Sequence, residues 1–391
     1  MRKNLLHFAQ HGDTSGFFPQ LARWHDRERY QMFFGTLNPI WPDLRQYMDS
    51  QGVECFSCDV GGRAGFPMAM LKLASFLRRE RIDILHAHLF EPSIVSLQAA
   101  TLARTPVRVM TRHYSDYHTR IDKKWHVRLD QLCTRLSHRV IAVSEHTAEH
   151  MIAEEDAPPE KIRTILNGID FDRVRLSGPD AVKRIRAEFD AEDAYILLIC
   201  ARMHPEKGYE YLFDAMPRIR SRTDRRVILL VAGRGTFEAE YRTRVRDLGC
   251  EEDVKFIGFR KDVPDLMAAA DLVVLPSVAE AFGLVLTEAL YLGTPVVASR
   301  VGGIPEIVND GVDGVLVPPE NSEALADAII DLLHDPARRT QMSGAGRAKV
   351  VEKFQFDKMV RSYEAVYEEL LIASPSPRDS ALNQMGDETL S

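Results

Sequence analysis

Short apolar runs alternate with longer amphipathic stretches along most of this chain. In the first half the runs are rich in β-branched residues, and they are Leu5–Ala9, Gln31–Phe34, Ile82–His86, Val107–Met110 and Val140–Val143. Such an alternation is typical of β-α units around a parallel sheet. We therefore predict a doubly wound α/β domain over residues 1–175.

The pattern pauses over residues 176–192, a charged stretch that we interpret as a linker, and resumes at Ile196–Cys200. A second series of apolar runs follows, at Val227–Val231, Val254–Ile257, Leu272–Leu275, Val296–Ala298 and Val315–Val317. We predict a second doubly wound domain over residues 193–355. Ligands of such sheets bind beyond the carboxyl ends of the strands, so two facing domains would form a cleft and functional residues should follow strands.

The end of the chain changes character twice. Beyond Phe356 the apolar residues approximate one face of a helix, and they are Val360, Tyr363, Val366, Tyr367 and Leu370. This spacing predicts a helix over residues 356–373 that packs on a domain surface. From Ser374 the composition turns to Pro, Ser, Asp and Gly without periodicity, which predicts a disordered tail over 374–391.

Composition and charge narrow the class of protein. The 391 residues are 45% hydrophobic and 27% charged, which is enough to build two ordinary cores. A formal net charge of −7 argues against a nucleic-acid binder. Five scattered cysteines favour a reducing compartment, and no apolar stretch is long enough to span a membrane. We predict a cytoplasmic protein.

The most informative segment runs from Pro276 to Pro295. A loop carrying Glu280 follows a predicted strand, and a helix begins near Gly283. Free amides at a helix N-terminus attract phosphate, and a glycine there lets a ligand approach the backbone closely. Glu288 lies about one and a half turns into this helix at 3.6 residues per turn. Both glutamates could accept sugar hydroxyls, or they could be a loop acid and a solvated helix residue.

The Glu-x7-Glu spacing and the following LGTPVVASRVGGIPEIV closely resemble the signature of retaining GT-B glycosyltransferases of family 4, the glycogen-synthase-like and mannosyltransferase-like group. The resemblance runs from about Leu136 to Tyr367. It implies two Rossmann-like domains facing a central cleft and a nucleotide-sugar donor. It also implies that Glu280 contacts the donor sugar and Glu288 the ribose. The residues between them that we expect at the donor are Phe282, Gly283 and Leu284.

A second match is RMHPEKG, directly after the predicted strand Tyr195–Cys200. The family carries an arginine and a lysine at the spacing of Arg202 and Lys207. Cleavage of a sugar phosphoester leaves charge on a diphosphate, and fixed cations stabilise it. The alternative is a pair of surface cations near a helix start. With these cations in place we expect no metal cofactor, so Asp170-x-Asp172 is not interpreted as a metal site.

Further segments fit the same resemblance. Residues 167–170 resemble the segment that ends the family's first domain, and Gly233 belongs to a turn that resembles its glycine turn near the nucleotide. Arg260 follows the strand Val254–Ile257, where the family contacts the base; a surface arginine is the alternative. His113 follows a strand where the family often has a histidine against the donor sugar, although histidines at strand ends are often structural.

Two features concern the acceptor side. His86 and His88 follow a strand and are interpreted as an acceptor-side wall, since as a metal pair they lack further ligands. The family's paired-glycine loop after the first strand is replaced here by HGDTSGF. Gly12 or Gly16 would still allow close approach of the acceptor or the diphosphate.

Residues 118–139 carry six Lys or Arg against two Asp. An approximate helical stripe of apolar residues accompanies them, formed by Ile121, Trp125, Leu129, Leu132 and Leu136. Such a helix could lie peripherally on the inner face of an anionic membrane, near a lipid-linked acceptor. A domain helix with its apolar side in the core is the alternative.

The resemblance and the residues together predict a function in polysaccharide biosynthesis. The expected reaction is retaining transfer of a hexose or N-acetylhexosamine from a UDP- or GDP-sugar. Expected acceptors are a glycan, a lipid-linked molecule or a small molecule. Two alternatives stay open: a nucleotide-sugar epimerase on the same architecture, and a non-catalytic protein that binds nucleotide sugars.

Overall fold

In the computed structural model of this protein, the residues described are 2–11, 16–114 and 124–373. They form two compact units. The first ends at Leu166 and resumes at Phe356, and the second runs over Asn167–Gln355. Each unit is a parallel sheet with helices, as the alternating pattern predicts.

The sheet of the first unit has seven parallel strands within the described ranges. They are β1 (Lys3–Ala9), β2 (Tyr30–Thr36), β3 (Glu54–Ser57), β4 (Ile84–His88), β5 (Val107–Arg112), β6 (Arg139–Ala142) and β7 (Ile162–Thr164). Their order is β3-β2-β1-β4-β5-β6-β7. In the register, His7 pairs with His86 and His88 with Thr111. Neighbouring strands therefore bring several histidines to one part of the sheet.

Helices connect these strands. They are α1 (Phe17–Trp24), α2 (Pro42–Ser50), α3 (Phe66–Arg79), α4 (Phe90–Ala103), α5 (Lys124–Leu136) and α6 (Glu145–Glu155). Short 3₁₀ turns lie at Arg63–Gly65 and Pro159–Lys161. No helix in the described part of the chain has both the length and the hydrophobicity needed to cross a membrane.

The second unit repeats this plan with six parallel strands in its described residues. They are β8 (Tyr195–Cys200), β9 (Val227–Ala232), β10 (Val254–Gly258), β11 (Leu272–Leu275), β12 (Val296–Ser299) and β13 (Gly314–Val317). Their order is β10-β9-β8-β11-β12-β13. The helices are α7 (Ala181–Glu188), α8 (Tyr209–Arg222), α9 (Glu238–Asp247), α10 (Val263–Ala269), α11 (Leu284–Leu292), α12 (Ile304–Ile307), α13 (Ser322–His334) and α14 (Pro336–Lys353), with a 3₁₀ turn at Pro205–Lys207.

The last described helix, α15 (Phe356–Ala373), belongs to the first unit although it follows the second in sequence. Its buried face carries Met359, Val360, Tyr363, Val366, Tyr367 and Leu370, packed in one cluster with strand residues such as Leu5 and Val109. Full burial of one large apolar side chain contributes roughly 1.5–3 kcal/mol, so this face holds the chain end to the first sheet.

The boundary predicted at 1–175 and the linker predicted at 176–192 are wrong. The second unit begins at Asn167, and the supposed linker contains α7, which buries Ala181 and Ile185. Ser177 also donates from its backbone N and its Oγ to Asp265, at 2.8 and 2.6 Å. Only two side chains of α7 are buried, so its apolar periodicity is weak in the sequence. The predicted tail, 374–391, lies outside the described residues.

Both sheets reverse their strand order beside the first strand of their unit. The reversal falls between β1 and β4 in one unit and between β8 and β11 in the other. In open α/β sheets, ligands bind in the crevice beyond the carboxyl ends of the strands at such a switch point. Residues that follow β8 and β11, and those at the ends of β1 and β4, are therefore the candidates for function.

Candidate active site

The predicted cation and carboxylate of the second unit meet at its switch point. Lys207 follows β8 and Glu280 follows β11, and the Lys207 Nζ lies 2.8 Å from the Glu280 Oε2. Each side chain keeps 15% of its surface exposed. The pair is therefore largely desolvated but still reachable from solvent.

Backbone contacts hold the two loops together. The amide of Val278 donates to the Glu206 carbonyl at 2.8 Å. Gly208 has φ +66°, and a Cβ at this position would lie 2.0 Å from the Pro276 carbonyl oxygen. Only glycine fits there, so the last residue of RMHPEKG allows Lys207 to approach the Glu280 loop.

The paired glycines after β12 fix the backbone of Glu280. Gly303 donates its amide to the Glu280 carbonyl at 3.1 Å. Gly302 has φ +52°, and a Cβ there would lie 1.6 Å from the same oxygen. This contact explains why the VGG of the recognised segment accompanies the glutamate loop.

Two polar residues of the site were not predicted from sequence. Ser277, which is buried, donates its hydroxyl to the Glu280 Oε2 at 3.3 Å. The Glu206 Oε1 lies 3.0 Å from a terminal nitrogen of Arg202 and 3.9 Å from the Lys207 Nζ. The signal available in the sequence was only their proximity to predicted residues. Arg202 has 78% of its side chain exposed, so Glu206 is its link to the rest of the site.

Helix α11 begins where the sequence indicates. Gly283 is its N-cap with φ +106°, no side chain caps it, and Gly293 ends it with φ +83°. An uncapped helix N-terminus carries partial positive charge from its amides. Leu284, the first helical residue, has 39% of its surface exposed.

The side chain of Phe282 faces the interior. It is 3% exposed and packs edge-on against Phe354, with ring centroids 5.8 Å apart. The ring of Phe282 therefore belongs to the core of this unit, and a contact of Phe282 with the donor stays a prediction.

Glu288 is half-buried on α11 beside the end of β8. Burial raises the pKa of its carboxyl to about 7, an effect that the positive charge of Arg173 partly offsets. Burial also raises the pKa of the neighbouring Cys200 thiol to about 12, and the charge of Glu288 adds to that shift. A carboxyl with a pKa of about 7 changes between hydrogen-bond donor and pure acceptor near neutral pH.

The glycine turn after β9 supports the Arg202 loop. Gly233 has φ +142°, and a Cβ there would lie 2.0 Å from the Ala201 carbonyl oxygen. A Cβ on Gly235 would lie 2.2 Å from the Met203 carbonyl oxygen. Both glycines are needed so that this turn and the loop can pack backbone to backbone.

Arg260 is held by two carboxylates. Its Nε and one terminal nitrogen each lie 2.8 Å from Asp262, and its terminal nitrogens lie 2.5 and 3.0 Å from Glu188. These hydrogen bonds, chiefly those to Asp262, raise the pKa of Arg260. Arg260 therefore ties the loop after β10 to α7 and is neither free nor a simple surface arginine, and its contact with the base stays a prediction.

The first unit gathers four histidines near its switch point. The His7 Nδ1 lies 2.9 Å from the His88 Nε2, and the His88 Nδ1 lies 3.2 Å from the His113 Nε2. His86 bonds instead to two hydroxyls, with its Nδ1 2.5 Å from the Tyr367 Oη and its Nε2 2.6 Å from the Thr111 Oγ1. His7 was not predicted from sequence. Its only signal was a polar side chain inside an apolar strand.

These histidines are neutral at physiological pH. Burial lowers the pKa of His7 to about 3, helped by the charge of His25, and lowers the pKa of His113 to about 4. Burial also holds the pKa values of His86 and His88 well below the ordinary range. From the sequence, His86 and His88 lack a further residue with which to bind a metal. In the structure His7 joins them, and one ring nitrogen of each of the three histidines lies within 4.8 Å of the others.

Gly16 precedes Phe17, an aromatic residue that packs against these histidines. It has φ +94° and is the N-cap of α1. The next residue, Phe17, meets His113 and His88 edge-on, at centroid distances of 5.6 and 5.7 Å. Gly12 lies outside the described residues.

Residues 170–172 have local partners. The amide of Asp172 donates to the Asp170 Oδ1 at 3.0 Å, and Asp172 forms an ion pair with Arg175.

In the predicted basic helix, 118–123 lie outside the described ranges. The apolar stripe is divided: Trp125 is 48% and Leu132 is 36% exposed, so the alternative that places the whole stripe in the core is wrong for these two.

The sequence matches two described families. Residues 182–349 match "Glycosyl transferases group 1" and residues 17–173 match "Glycosyltransferase Family 4". The chain is 31% identical to the N-acetyl-alpha-D-glucosaminyl L-malate synthase of Bacillus anthracis over 339 residues, covering 86% of each protein. It is 31% identical to an uncharacterized glycosyltransferase of Methanocaldococcus jannaschii over 313 residues, which is 76% of this chain and 78% of that one.

The fold has counterparts among solved structures. Anabaena HepE in complex with UDP and glucose matches with a TM-score of 0.81 and 25% identity, over 94% of this chain and 100% of HepE. Fold and relatives together define a glycosyltransferase of the GT-B class. The chain belongs to family 4 of these enzymes.

Proposed function

We propose that this protein transfers a hexose or N-acetylhexosamine from a UDP- or GDP-sugar to a glycan, lipid-linked or small-molecule acceptor, with retention and without a metal. The observation that carries the proposal is the Lys207–Glu280 pair at the switch point of the second sheet. HepE, in complexes with UDP-glucose and with UDP and glucose, supports a UDP-sugar donor. The Bacillus anthracis relative, named for joining N-acetylglucosamine to malate, supports an acceptor as small as a hydroxy acid.

Each residue has a role in this proposal. Arg202 and Lys207 neutralise the diphosphate, together with the amides of α11 at Gly283 and Leu284. Glu280 accepts hydrogen bonds from hydroxyls of the donor sugar, and Glu288 accepts them from the ribose. Lys207 then exchanges its carboxylate partner for phosphate when the donor binds, which leaves Glu280 to the sugar.

Retention follows if the acceptor attacks from the face that the diphosphate leaves. The bond from the anomeric carbon to the phosphate oxygen breaks, and the bond to the acceptor oxygen forms on the same side. The acceptor proton passes to the departing phosphate oxygen, so no side chain has to act as a base. Lys207 and Arg202 stabilise the negative charge as it develops.

A donor-hydrolysis screen tests the proposal. UDP-glucose, UDP-N-acetylglucosamine and GDP-mannose are incubated separately with the protein, and released nucleoside diphosphate is measured before acceptors are added. Slow release from one donor, faster with an acceptor, is the expected result. A changed sugar on an intact nucleotide would indicate an epimerase. Tight binding of a nucleotide sugar without release of nucleoside diphosphate would indicate a non-catalytic binding protein. Either outcome overturns the proposal.

The proposal extends to a peripheral membrane contact for a lipid-linked acceptor. On α5, Trp125 and Leu132 are exposed and share a helix face with exposed Arg128 and Arg135. Apolar and basic side chains on one face suit an anionic bilayer surface. Co-sedimentation with phosphatidylglycerol vesicles should be lost in W125S/L132S and retained in W41S, a control at another exposed tryptophan of the first unit. Equal sedimentation of both variants would contradict this extension.

A further inference from the structure

Three of the four histidines near the switch point of the first unit form a continuous hydrogen-bonded chain of rings. His7 on β1 contacts His88 at the end of β4, and His88 contacts His113 just after β5, at 2.9 and 3.2 Å between ring nitrogens. His7 and His88 are buried, and His113 is partly exposed. The His7–His88–His113 chain of rings therefore runs from the interior to His113, its one accessible ring.

The chemistry of neutral imidazole couples the three rings. A neutral imidazole has one N–H donor and one acceptor nitrogen, and His88 uses both of its nitrogens. If the Nε2 of His113 donates to the Nδ1 of His88, then the Nε2 of His88 must donate to the Nδ1 of His7. The reverse direction requires Nδ1–H on all three rings. Both cases give one shared tautomer, so no ring can change without the others.

A metal ion is a weaker explanation of this cluster. Its third member would be His86, but both nitrogens of His86 lie at hydrogen-bond distance from the hydroxyls of Tyr367 and Thr111. Coordination by His7 and His88 would also break the bond between them. His86 and His88 each have both ring nitrogens at hydrogen-bond distance from a described partner, so neither ring needs a metal ion to satisfy its nitrogens.

Aromatic rings pack against the His7–His88–His113 chain of rings. Phe18 meets His88 edge-on at a centroid distance of 5.2 Å, and Phe17 meets His113 at 5.6 Å. His86 stacks on His88 with centroids 4.2 Å apart. These contacts limit rotation of His88, so the direction of its ring nitrogens is set by packing as well as by hydrogen bonds.

We propose that His7 and His88 are positioning residues that act through His113, holding it neutral, in one orientation and in one tautomer. The outer Nδ1 of His113 then has one fixed character, either donor or acceptor, toward a sugar hydroxyl. The part that concerns the sugar rests on the proposed function. The shared tautomer does not, because it follows from the three rings alone.

Nitrogen-15 NMR of histidine-labelled protein tests the shared tautomer without any substrate. Protonated and unprotonated ring nitrogens have well separated shifts, and signals are assigned with single His variants. At pH 7 we expect His7, His88 and His113 to be neutral and to protonate the same ring position. Different tautomers, or two tautomers in exchange at His113, would overturn the proposal.

Two variants of His7 separate positioning from simple packing. His7→Leu should release His113 into a mixture of tautomers, whereas His7→Asn, whose amide reaches the position of Nδ1, should restore one tautomer. An unchanged His113 spectrum in a folded His7→Leu protein contradicts the proposal. If His7→Leu does not fold, the wild-type spectrum still decides.

Two further measurements complete the test. With an active donor, His7→Leu should lower kcat/KM by about 10-fold, the scale at which outer partners of functional histidines act, and His7→Asn should recover most of it. If kcat/KM does not change as expected but the NMR spectrum shows the shared tautomer, only the role of His113 toward the sugar is refuted. Equilibrium dialysis against zinc alone should leave no stoichiometric metal; one retained zinc per chain would replace the proposal with a metal centre.

Discussion

The ammonium of Lys207 and the carboxylate of Glu280 are 2.8 Å apart although 73 residues separate them in sequence. In this structure each group neutralises the other. With the roles proposed above, a nucleotide that binds through its phosphates would compete with Glu280 for Lys207. That competition would separate the phosphate contact of Lys207 from the sugar contact of Glu280.

Glu280→Gln should separate nucleotide binding from transfer. Without the negative charge, Lys207 is released toward phosphate, so the affinity for UDP alone should stay equal or increase. Transfer should fall by on the order of 100-fold, as when one transition-state hydrogen bond is lost. Calorimetry with UDP and turnover at saturating donor measure the two effects. Parallel losses of both would contradict the assignment of Glu280 to the sugar.

Lys207→Ala should lower turnover by on the order of 100-fold or more, because a fixed cation that stabilises the leaving diphosphate is removed. Lys349 provides a matched control, since its Nζ also lies close to a carboxylate, 2.5 Å from Asp313, with 10% of its side chain exposed. Lys349→Ala should lower Tm with little change in turnover. Near-normal turnover of folded Lys207→Ala would remove this residue from the mechanism.

Donor binding should depend on pH through Glu288. Its folded pKa is about 7, and only the ionised carboxylate is a full acceptor for ribose hydroxyls. The donor KM should therefore fall as the pH rises from 6 to 8, with a smaller change in kcat. In Glu288→Gln the KM should be higher and independent of pH over this range. A collapsed kcat with an unchanged KM would contradict a ribose contact.

Ionisation of the Glu288 carboxyl should lower the stability of the folded protein, although it should strengthen donor binding. Its folded pKa lies above the unfolded value of 4.5, so the folded state holds the proton more tightly. The free energy of unfolding should decrease as the pH rises from about 4.5 to about 7. At pH 8, Glu288→Gln should be more stable than the wild type by about 1–3 kcal/mol, and near pH 4.5 the difference should vanish. Urea unfolding at both pH values measures this difference, and a constant difference would show that Glu288 does not titrate as stated.

Chelation should leave transfer largely intact, because in the proposed mechanism fixed cations take the place of a metal at the diphosphate. Activity is measured in EDTA and after addition of Mg²⁺ or Mn²⁺. Loss of activity in EDTA with recovery on either metal would return Asp170 and Asp172 to consideration as ligands. In that case Asp172→Asn should abolish the recovery.

The product should keep the anomeric configuration of the donor. An inverting enzyme needs a base on the acceptor side, and the proposed roles leave that task to the leaving phosphate. Proton NMR of freshly formed product gives the coupling constant at the new linkage. A β-glycoside from an α-linked gluco-configured donor would contradict retention and direct the search for a base to two acids outside the described residues, Asp13 and Asp116.

Local patterns determined much of this protein. Alternating apolar runs predict five of the seven described strands of the first sheet and all six of the second, because each of these strands needs only its own residues to be apolar and β-branched. The short strands β3 and β7 carry polar residues and were not predicted. The N-terminus of α11 is equally local, since Gly283 and Gly293 mark its two ends. The relation of Lys207 to the glutamate loop was also available from sequence, through motifs that resemble a family.

Tertiary structure alone decided which groups meet. Arg260 is occupied by Glu188, 72 residues away, and no local pattern announces that contact. The His7–His88–His113 chain needs the strand order that places β4 between β1 and β5, and the sequence carries no local record of that order. The unit boundary at Leu166 depends on α15 returning to the first sheet. Periodicity reports which side of an element is apolar, whereas the partner of that side is chosen by packing among all elements at once.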